Sequence, residues 1–225
     1  MAGISDWPAS ERPRERLLNE GADALSDAEL LAVCLRTGVA GKSAVALAQD
    51  LLTRFNGLHG LTRASRQAAC SAAGLGPAKW ALLQAAGELV KRSLKGEISR
   101  GDALNSPAAV REYLTLWLRD RPSESFVALF LDNQNRLLSA DELFRGTLSQ
   151  TAVYPREIVR RAIELNAGAI IFAHNHPSGL AEPSHADRLL TDALKSALSH
   201  LEIRVLDHLI IAGNRTMSFA EHGLI

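Results

Sequence analysis

Apolar residues recur at helical spacing through the first hundred residues of the chain. The strongest start signal is the capping box Ser26-Asp27-Ala28-Glu29, followed by an apolar face that ends near Gly38. Ser43 and Ser65 are placed to begin two further helices, and Pro77 fits the first turn of another, which we expect to end near residue 94. The first part of the chain is therefore predicted to be a small all-α domain.

The pattern changes beyond residue 100, where short apolar runs of strand length alternate with amphipathic helices. Helices are predicted from Pro107, Pro155 and Ser184. Strands are predicted at residues 126–131, 136–144, 169–173, 203–212 and 217–219, with another extended stretch before Tyr154. This mixture of hairpins and crossovers predicts an α/β (α+β) sandwich.

Between the two parts, residues 96–106 lack periodicity and contain turn-forming residues, which predicts a linker. The domains are accordingly predicted to span residues 1–98 and 104–225.

Composition and charge narrow the function classes. The chain has 25 basic and 25 acidic residues, a balance that argues against coating nucleic acid over the whole surface. Residues 61–100 nevertheless hold seven basic and two acidic residues, which fits either a local basic face or a solvated helix surface. The absence of a membrane span or secretory signal, with Cys34 and Cys70 interpreted as buried thiols, predicts a cytoplasmic protein without a membrane partner.

Candidate chemistry is concentrated where the strand at residues 169–173 ends. His174 and His176 follow it directly, and Asp187 is the third residue of the helix that Ser184 is placed to cap. Two imidazoles and one carboxylate are a normal ligand set for zinc, at roughly 2.0–2.2 Å, with water in a fourth position. Each feature taken alone also fits a surface loop or a simple helix cap. Their meeting at one strand–loop–helix junction favours a metal site.

The spacing His174-x-His176-Pro177 followed by Ser184-x-x-Asp187 resembles the JAMM signature of MPN/JAB-type zinc hydrolases. Further segments resemble the bacterial RadC (UPF0758) family over nearly the whole chain. They are Leu35-Arg36-Thr37-Gly38, Gly74-Leu75-Gly76, Phe144-Arg145-Gly146-Thr147 and Tyr154-Pro155-Arg156-Glu157. Asn175 stands where most JAMM enzymes have serine or threonine, a departure that matches RadC proteins.

The resemblance implies a cytidine-deaminase-like JAB/MPN sandwich preceded by a small all-α helix-hairpin-helix domain. It implies that His174, His176 and Asp187 bind Zn²⁺ and that Ser184 lies near the water or oxyanion. A glutamate would act as general base, for which Glu124 is favoured and Glu142 and Glu157 are alternatives. The implied reaction is attack of metal-activated water on an amide, peptide or isopeptide, of a protein or peptide substrate.

The second hypothesis is a DNA-binding repair or recombination accessory protein with a structural or inactive zinc site. Gly74 and Gly76 could let backbone N–H groups approach a phosphate at the start of a helix, and Lys79 could add a contact. Such contacts would bind DNA without reading its sequence. A tight turn between packed helices explains the same residues. His208, beside Asp207, is interpreted as structural or as a support for a metal ligand.

Overall fold

The computed structural model describes residues 7–100, 107–146 and 153–225. The chain forms two compact units, Met1–Leu89 and Val90–Ile225, which we call the helical unit and the sheet unit. The division falls inside one long helix. Among the described residues, no helix has both the length and the apolar composition needed to cross a membrane.

Short helices build the helical unit around a core of leucine and alanine side chains. They are α1 (Pro13–Glu20), α2 (Asp27–Leu35), α3 (Ala44–Arg54), α4 (Leu58–Arg63), α5 (Arg66–Cys70) and the first part of α6 (Pro77–Arg100). Side chains of Ser26, Ser43 and Ser65 accept hydrogen bonds from backbone N–H groups of the first turns that they cap. The predicted helix starts are therefore confirmed.

Two details of the helical unit differ from expectation. Helix α2 ends at Leu35 because Arg36 adopts a φ of 64°, so the helix stops before Gly38. Cys34 and Cys70 are free thiols, as expected, but both are partly exposed rather than buried. In α2, Leu31, Ala32 and Leu35 take the inward positions instead.

Helix α6 continues to Arg100, past the expected end near residue 94 and into the predicted linker. The reason is tertiary packing, since Ile98 is fully buried in a core cluster of the sheet unit. The rest of that linker, residues 101–106, and most of the extended stretch expected before Tyr154 lie outside the described residues.

The described residues of the sheet unit form one five-stranded sheet flanked by helices. Its helices are α7 (Pro107–Leu118), α8 (Pro155–Glu164) and α9 (His185–Ser199). Its strands are β1 (Glu124–Leu131), β2 (Leu137–Gly146), β3 (Ala169–Asn175), β4 (Arg204–Ala212) and β5 (Arg215–Ser218). The strand order is β2-β1-β3-β4-β5, and of these neighbours only β3 and β4 run parallel.

Both faces of this sheet are covered, so β3 is buried throughout and β1 is buried from Ser125 onward. Val127, Leu129 and Leu131 of β1 pack in the cluster that includes α7. The alternate residues Phe126 and Phe130 pack in the cluster that includes α8 and α9. The mixed α/β architecture with a helical N-terminal part is thus confirmed.

The pairing of β1 with β3 places the start of β1 beside the candidate ligands at the end of β3. The two strands are antiparallel, with Phe126 opposite His174. The beginning of β1 therefore lies beside the end of β3, and the Glu124 side chain shares the face of Phe126 because side chains alternate along a strand.

Replacing Leu129 by alanine should destabilise the sheet unit by about 2–5 kcal/mol, because a large side chain leaves a packed core. Leu129 is 0% exposed in the interior strand β1, whereas Leu138 on the edge strand β2 is 43% exposed. Urea unfolding of Leu129→Ala and of the control Leu138→Ala measures the difference. Equal stabilities would contradict the described packing.

Candidate metal centre

Two structural elements bring the candidate ligands together at the end of β3. His174 is the penultimate residue of β3, and His176 follows the strand immediately. Asp187 lies in the first turn of α9. Potential ligand atoms of these three side chains all lie within 4.8 Å of one another.

The closest atoms of the three side chains are the ones that could coordinate a cation. The Nε2 atoms of His174 and His176 are 2.9 Å apart. Oδ1 of Asp187 lies 3.2 Å from Nε2 of His174, and its Oδ2 lies 3.4 Å from Nε2 of His176. Asp187 and His174 are buried, while His176 is partly exposed at the edge of the site.

The loop after β3 determines which nitrogen of His176 faces the site. Its Nδ1 atom is 2.8 Å from the carbonyl oxygen of Leu180. A carbonyl oxygen can only accept, so Nδ1 donates. In the neutral ring this leaves a lone pair on Nε2, which points toward His174 and Asp187.

Asp187 forms a capping box with Ser184 at the start of α9. Its Oδ2 accepts from the backbone N–H and the hydroxyl of Ser184, at 2.8 and 2.7 Å. Burial opposes ionisation of Asp187, but its interactions with the His174 and His176 rings and the hydrogen bond from Ser184 outweigh it and lower its pKa well below the ordinary range. The carboxylate is therefore ionised in the folded protein.

Electrostatics show that this cluster attracts positive charge. The hydrogen bond to Asp187 raises the pKa of His176, although burial opposes it, and the charge of Glu124 adds to the increase. Two imidazole nitrogens beside an ionised carboxylate are a donor set suited to a divalent metal ion. The residues present thus fit the metal that the sequence implies.

His174 is held on its other side by the aromatic core. Its ring stacks on Phe126 at a centroid distance of 6.1 Å. Its Nδ1 atom makes a 2.8 Å hydrogen bond with Nε2 of His208. Burial lowers the pKa of His208 far below the ordinary value, so that this ring is neutral.

The three glutamates considered for the general base occupy different places. Glu124 is half-buried at the start of β1, and its charge acts on His176. Glu142 belongs to β2, one strand further from β3, and pairs with Arg121 at 3.2 Å. Glu157 is exposed on α8 and pairs with Arg160 at 3.3 Å.

Ser184 accepts from the backbone N–H of Asp187, at 3.1 Å, while its own proton is directed to the Asp187 carboxylate. Ser184 therefore caps α9 and also lies beside a candidate metal ligand. Its predicted action on an oxyanion stays a prediction.

Asn175 has a positioning role that the sequence did not reveal. Its side chain is buried, and its Oδ1 accepts from the backbone N–H of Ser125 at 2.8 Å. Its Nδ2 donates to the carbonyl oxygens of Arg121 and Ser123, at 3.3 and 3.2 Å. These bonds hold the backbone on both sides of Glu124. The available signal was a polar residue between two histidines at the end of a buried strand.

The residues predicted to contact DNA lie at the start of α6. Gly74 has a φ of 79°, and a side chain there would collide with Leu47 and Val39. Lys79 donates from Nζ to the carbonyl oxygen of Thr37 at 2.7 Å. Both observations are explained by a tight turn between packed helices. In the part of the chain that the structure describes, no atom lies within 4 Å of a Cβ built at Gly76.

Comparisons with known proteins agree with this fold. A family model described as RadC-like JAB domain matches residues 104–224, which defines the sheet unit as a JAB-type domain. A second family model, UPF0758 N-terminal, matches residues 4–81.

The chain belongs to the RadC-like UPF0758 family. A UPF0758 protein of Thiobacillus denitrificans is 62% identical over 220 residues, which are 98% of each chain. A UPF0758 protein of Nitrosospira multiformis is 58% identical over 222 residues, 99% of each chain. A relative of the same name from Aeromonas hydrophila is 56% identical over 98% of each chain.

The metal-free protein should lose stability as pH rises from about 6.5 through the raised pKa of His176. A histidine whose pKa is higher in the folded state stabilises the fold only while it is protonated. Zinc would replace that proton, so its affinity should increase with pH over the same interval. Thermal unfolding of chelator-treated protein, with and without added zinc, measures both effects across the pH range. A zinc affinity independent of pH would contradict the described site.

Proposed function

We propose that this protein is a zinc-dependent hydrolase of the JAMM metallopeptidase type, which cleaves an amide bond of a peptide or isopeptide. The observation that carries the proposal is the convergence of His174, His176 and Asp187, with Glu124 on the adjacent strand.

Zinc is the metal we propose because two imidazoles and one carboxylate are a common protein ligand set for its catalytic sites. His174, His176 and Asp187 would hold it. When bound, zinc polarises a carbonyl group and lowers the pKa of water, which is the chemistry that amide hydrolysis needs.

Glu124 is proposed as the general base. It would accept a proton from the attacking water and pass it to the leaving amine. Two observations support Glu124 over Glu142 and Glu157. The negative charge of Glu124 contributes to the raised pKa of His176, and hydrogen bonds from Asn175 fix the backbone on both sides of Glu124.

Ser184 is proposed to stabilise the oxyanion. In the described structure its hydroxyl proton is held by Asp187. We therefore propose that the hydroxyl turns toward the substrate when a cation takes over the interaction with the carboxylate.

Hydrolysis is expected to depend on zinc and on Glu124. A library of peptides and isopeptide-linked substrates should be cleaved by the zinc-loaded chain, and a chelator should abolish cleavage reversibly. Glu124→Gln should lower the cleavage rate by about 10²–10⁴-fold while zinc stays bound, because a general base typically contributes that much.

Glu142→Gln is the matched control, since it removes a carboxylate from the neighbouring strand and should leave cleavage nearly unchanged. Full activity in Glu124→Gln would show that the base is assigned wrongly. A chain that takes up no zinc on titration would refute the metallohydrolase proposal itself.

DNA binding by the helical unit is the second candidate. The supporting observation is the exposed start of α6, where no atom of the described residues lies within 4 Å of a Cβ built at Gly76. A helix start of this kind favours an anion such as a phosphate. The equal numbers of basic and acidic residues in the chain do not add to it. Binding would therefore be weak and sensitive to salt.

Lys79→Ala should weaken binding to an oligonucleotide duplex and reduce the dependence of log K on log salt by about one unit. Fluorescence anisotropy at several salt concentrations measures this slope. Arg66→Ala, an exposed change in the same unit, serves as the comparison. Absence of binding by the unaltered chain, even at low salt, would exclude the candidate.

A further inference from the structure

We infer that His208 and Thr191 form a hydrogen-bonded relay that fixes His174 in the tautomer whose Nε2 lone pair faces the metal centre. The relay runs from the backbone of Asp187 through Thr191 and His208 to His174. The inference deepens the proposed function and rests on it for the identity of the metal, but the direction of the relay follows from hydrogen-bond geometry and from the buried, neutral ring of His208.

The direction is set at the Asp187 end. Oγ1 of Thr191 lies 2.6 Å from the carbonyl oxygen of Asp187, four residues earlier in α9. Two oxygens at that distance need a proton between them, and a carbonyl oxygen can only accept. The hydroxyl proton of Thr191 is therefore committed to Asp187. Threonines within helices commonly make this bond.

His208 must then donate to Thr191. Its Nδ1 atom lies 2.7 Å from Oγ1 of Thr191, whose only proton is already used. The hydroxyl can still accept, so Nδ1 of His208 carries the hydrogen. In a neutral imidazole the other nitrogen, Nε2, is then an acceptor.

The same reasoning reaches the proposed ligand. Nδ1 of His174 lies 2.8 Å from Nε2 of His208, so it must supply the hydrogen of this bond. Neutral His174 is left with its lone pair on Nε2, the atom nearest to His176 and Asp187. The opposite direction would place a hydrogen on Nε2, and that tautomer could not bind a metal through this atom.

The surroundings of His208 keep its ring neutral and in place. The side chain is fully buried, with ring centroids of Phe126, Phe172 and Phe219 at 5.4, 6.2 and 4.7 Å. Such an apolar environment disfavours a charged imidazolium. His208 therefore acts as a neutral connector between Thr191 and His174.

The relay also joins the elements that carry the ligands. His174 lies on β3, His208 on β4, and Thr191 with Asp187 on α9. Fixing both the tautomer and the spacing prepares the site before metal arrives. Partners of this kind typically change metal affinity by about 10- to 100-fold when they are removed.

The test compares the unaltered chain with Thr191→Val and Thr191→Ser. Long-range ¹⁵N–¹H correlation spectra, recorded with and without zinc, identify the protonated nitrogen of each histidine. Competition with a chromophoric chelator measures zinc affinity. Thr53→Val is the matched control, because Thr53 makes the same bond to the carbonyl four residues earlier in α3 and, among the described residues, makes no side-chain hydrogen bond to a histidine.

The unaltered chain should show His174 and His208 protonated on Nδ1. Thr191→Val should shift that tautomer balance and weaken zinc binding by about 10- to 100-fold, and Thr191→Ser should restore both. Thr53→Val should change neither. Recovery in Thr191→Ser, which keeps the hydroxyl, would show that Thr191 acts through its hydrogen bonds and not only through packing.

A hydrogen on Nε2 of His174 in the zinc-free unaltered chain would overturn the inference, whether or not Thr191→Val folds. Unchanged tautomers and zinc affinity in a folded Thr191→Val would overturn it as well. Failure of the proposed function has a different signature, namely Nδ1 protonation of both rings in a chain that binds no zinc or cleaves no amide.

Discussion

In the sheet unit, packing brings three side chains together at the end of β3 through atoms that carry lone pairs. Nε2 of His174, Nε2 of His176 and the Asp187 carboxylate approach within hydrogen-bonding distance, although the carboxylate has no proton to offer. Only a positive charge makes such a meeting favourable. Without a metal, a proton on His176 supplies this positive charge, which is why its pKa is raised. The arrangement of the three side chains is equally suited to a divalent cation, which would supply the charge in its place.

Strand β3 serves the core and the site at once. Its residues up to Ala173 are fully buried apolar groups on both faces of the sheet, and the following two positions keep the same alternation with polar side chains. His174 therefore enters the layer that contains Phe126, whereas Asn175 points to the opposite layer and holds the backbone near Ser125. The packing that builds the fold also aims the candidate ligands.

Sequence reasoning succeeded where the signal was local. The capping serines identified helix starts, and two histidines with one carboxylate lay within fourteen residues of one another. Where the cause was distant it was silent or incomplete, as for His208, which it interpreted as structural or as a support for a metal ligand without identifying its partners. The length of α6 depends on burial of Ile98, and the bonds of Asn175 and His208 join residues 17 to 54 positions apart. A single sequence gives no means of pairing such residues.

The dual use of Asp187 affects how sequences of this type should be interpreted. The same carboxylate closes the first turn of α9 and faces the histidines, so helix formation alone is a reason to retain an acid there. A related chain that bound no metal would still benefit from Ser-x-x-Asp at this helix start. Ser-x-x-Asp alone therefore indicates only the start of a helix, and the two histidines are the part of the signature that indicates a metal site.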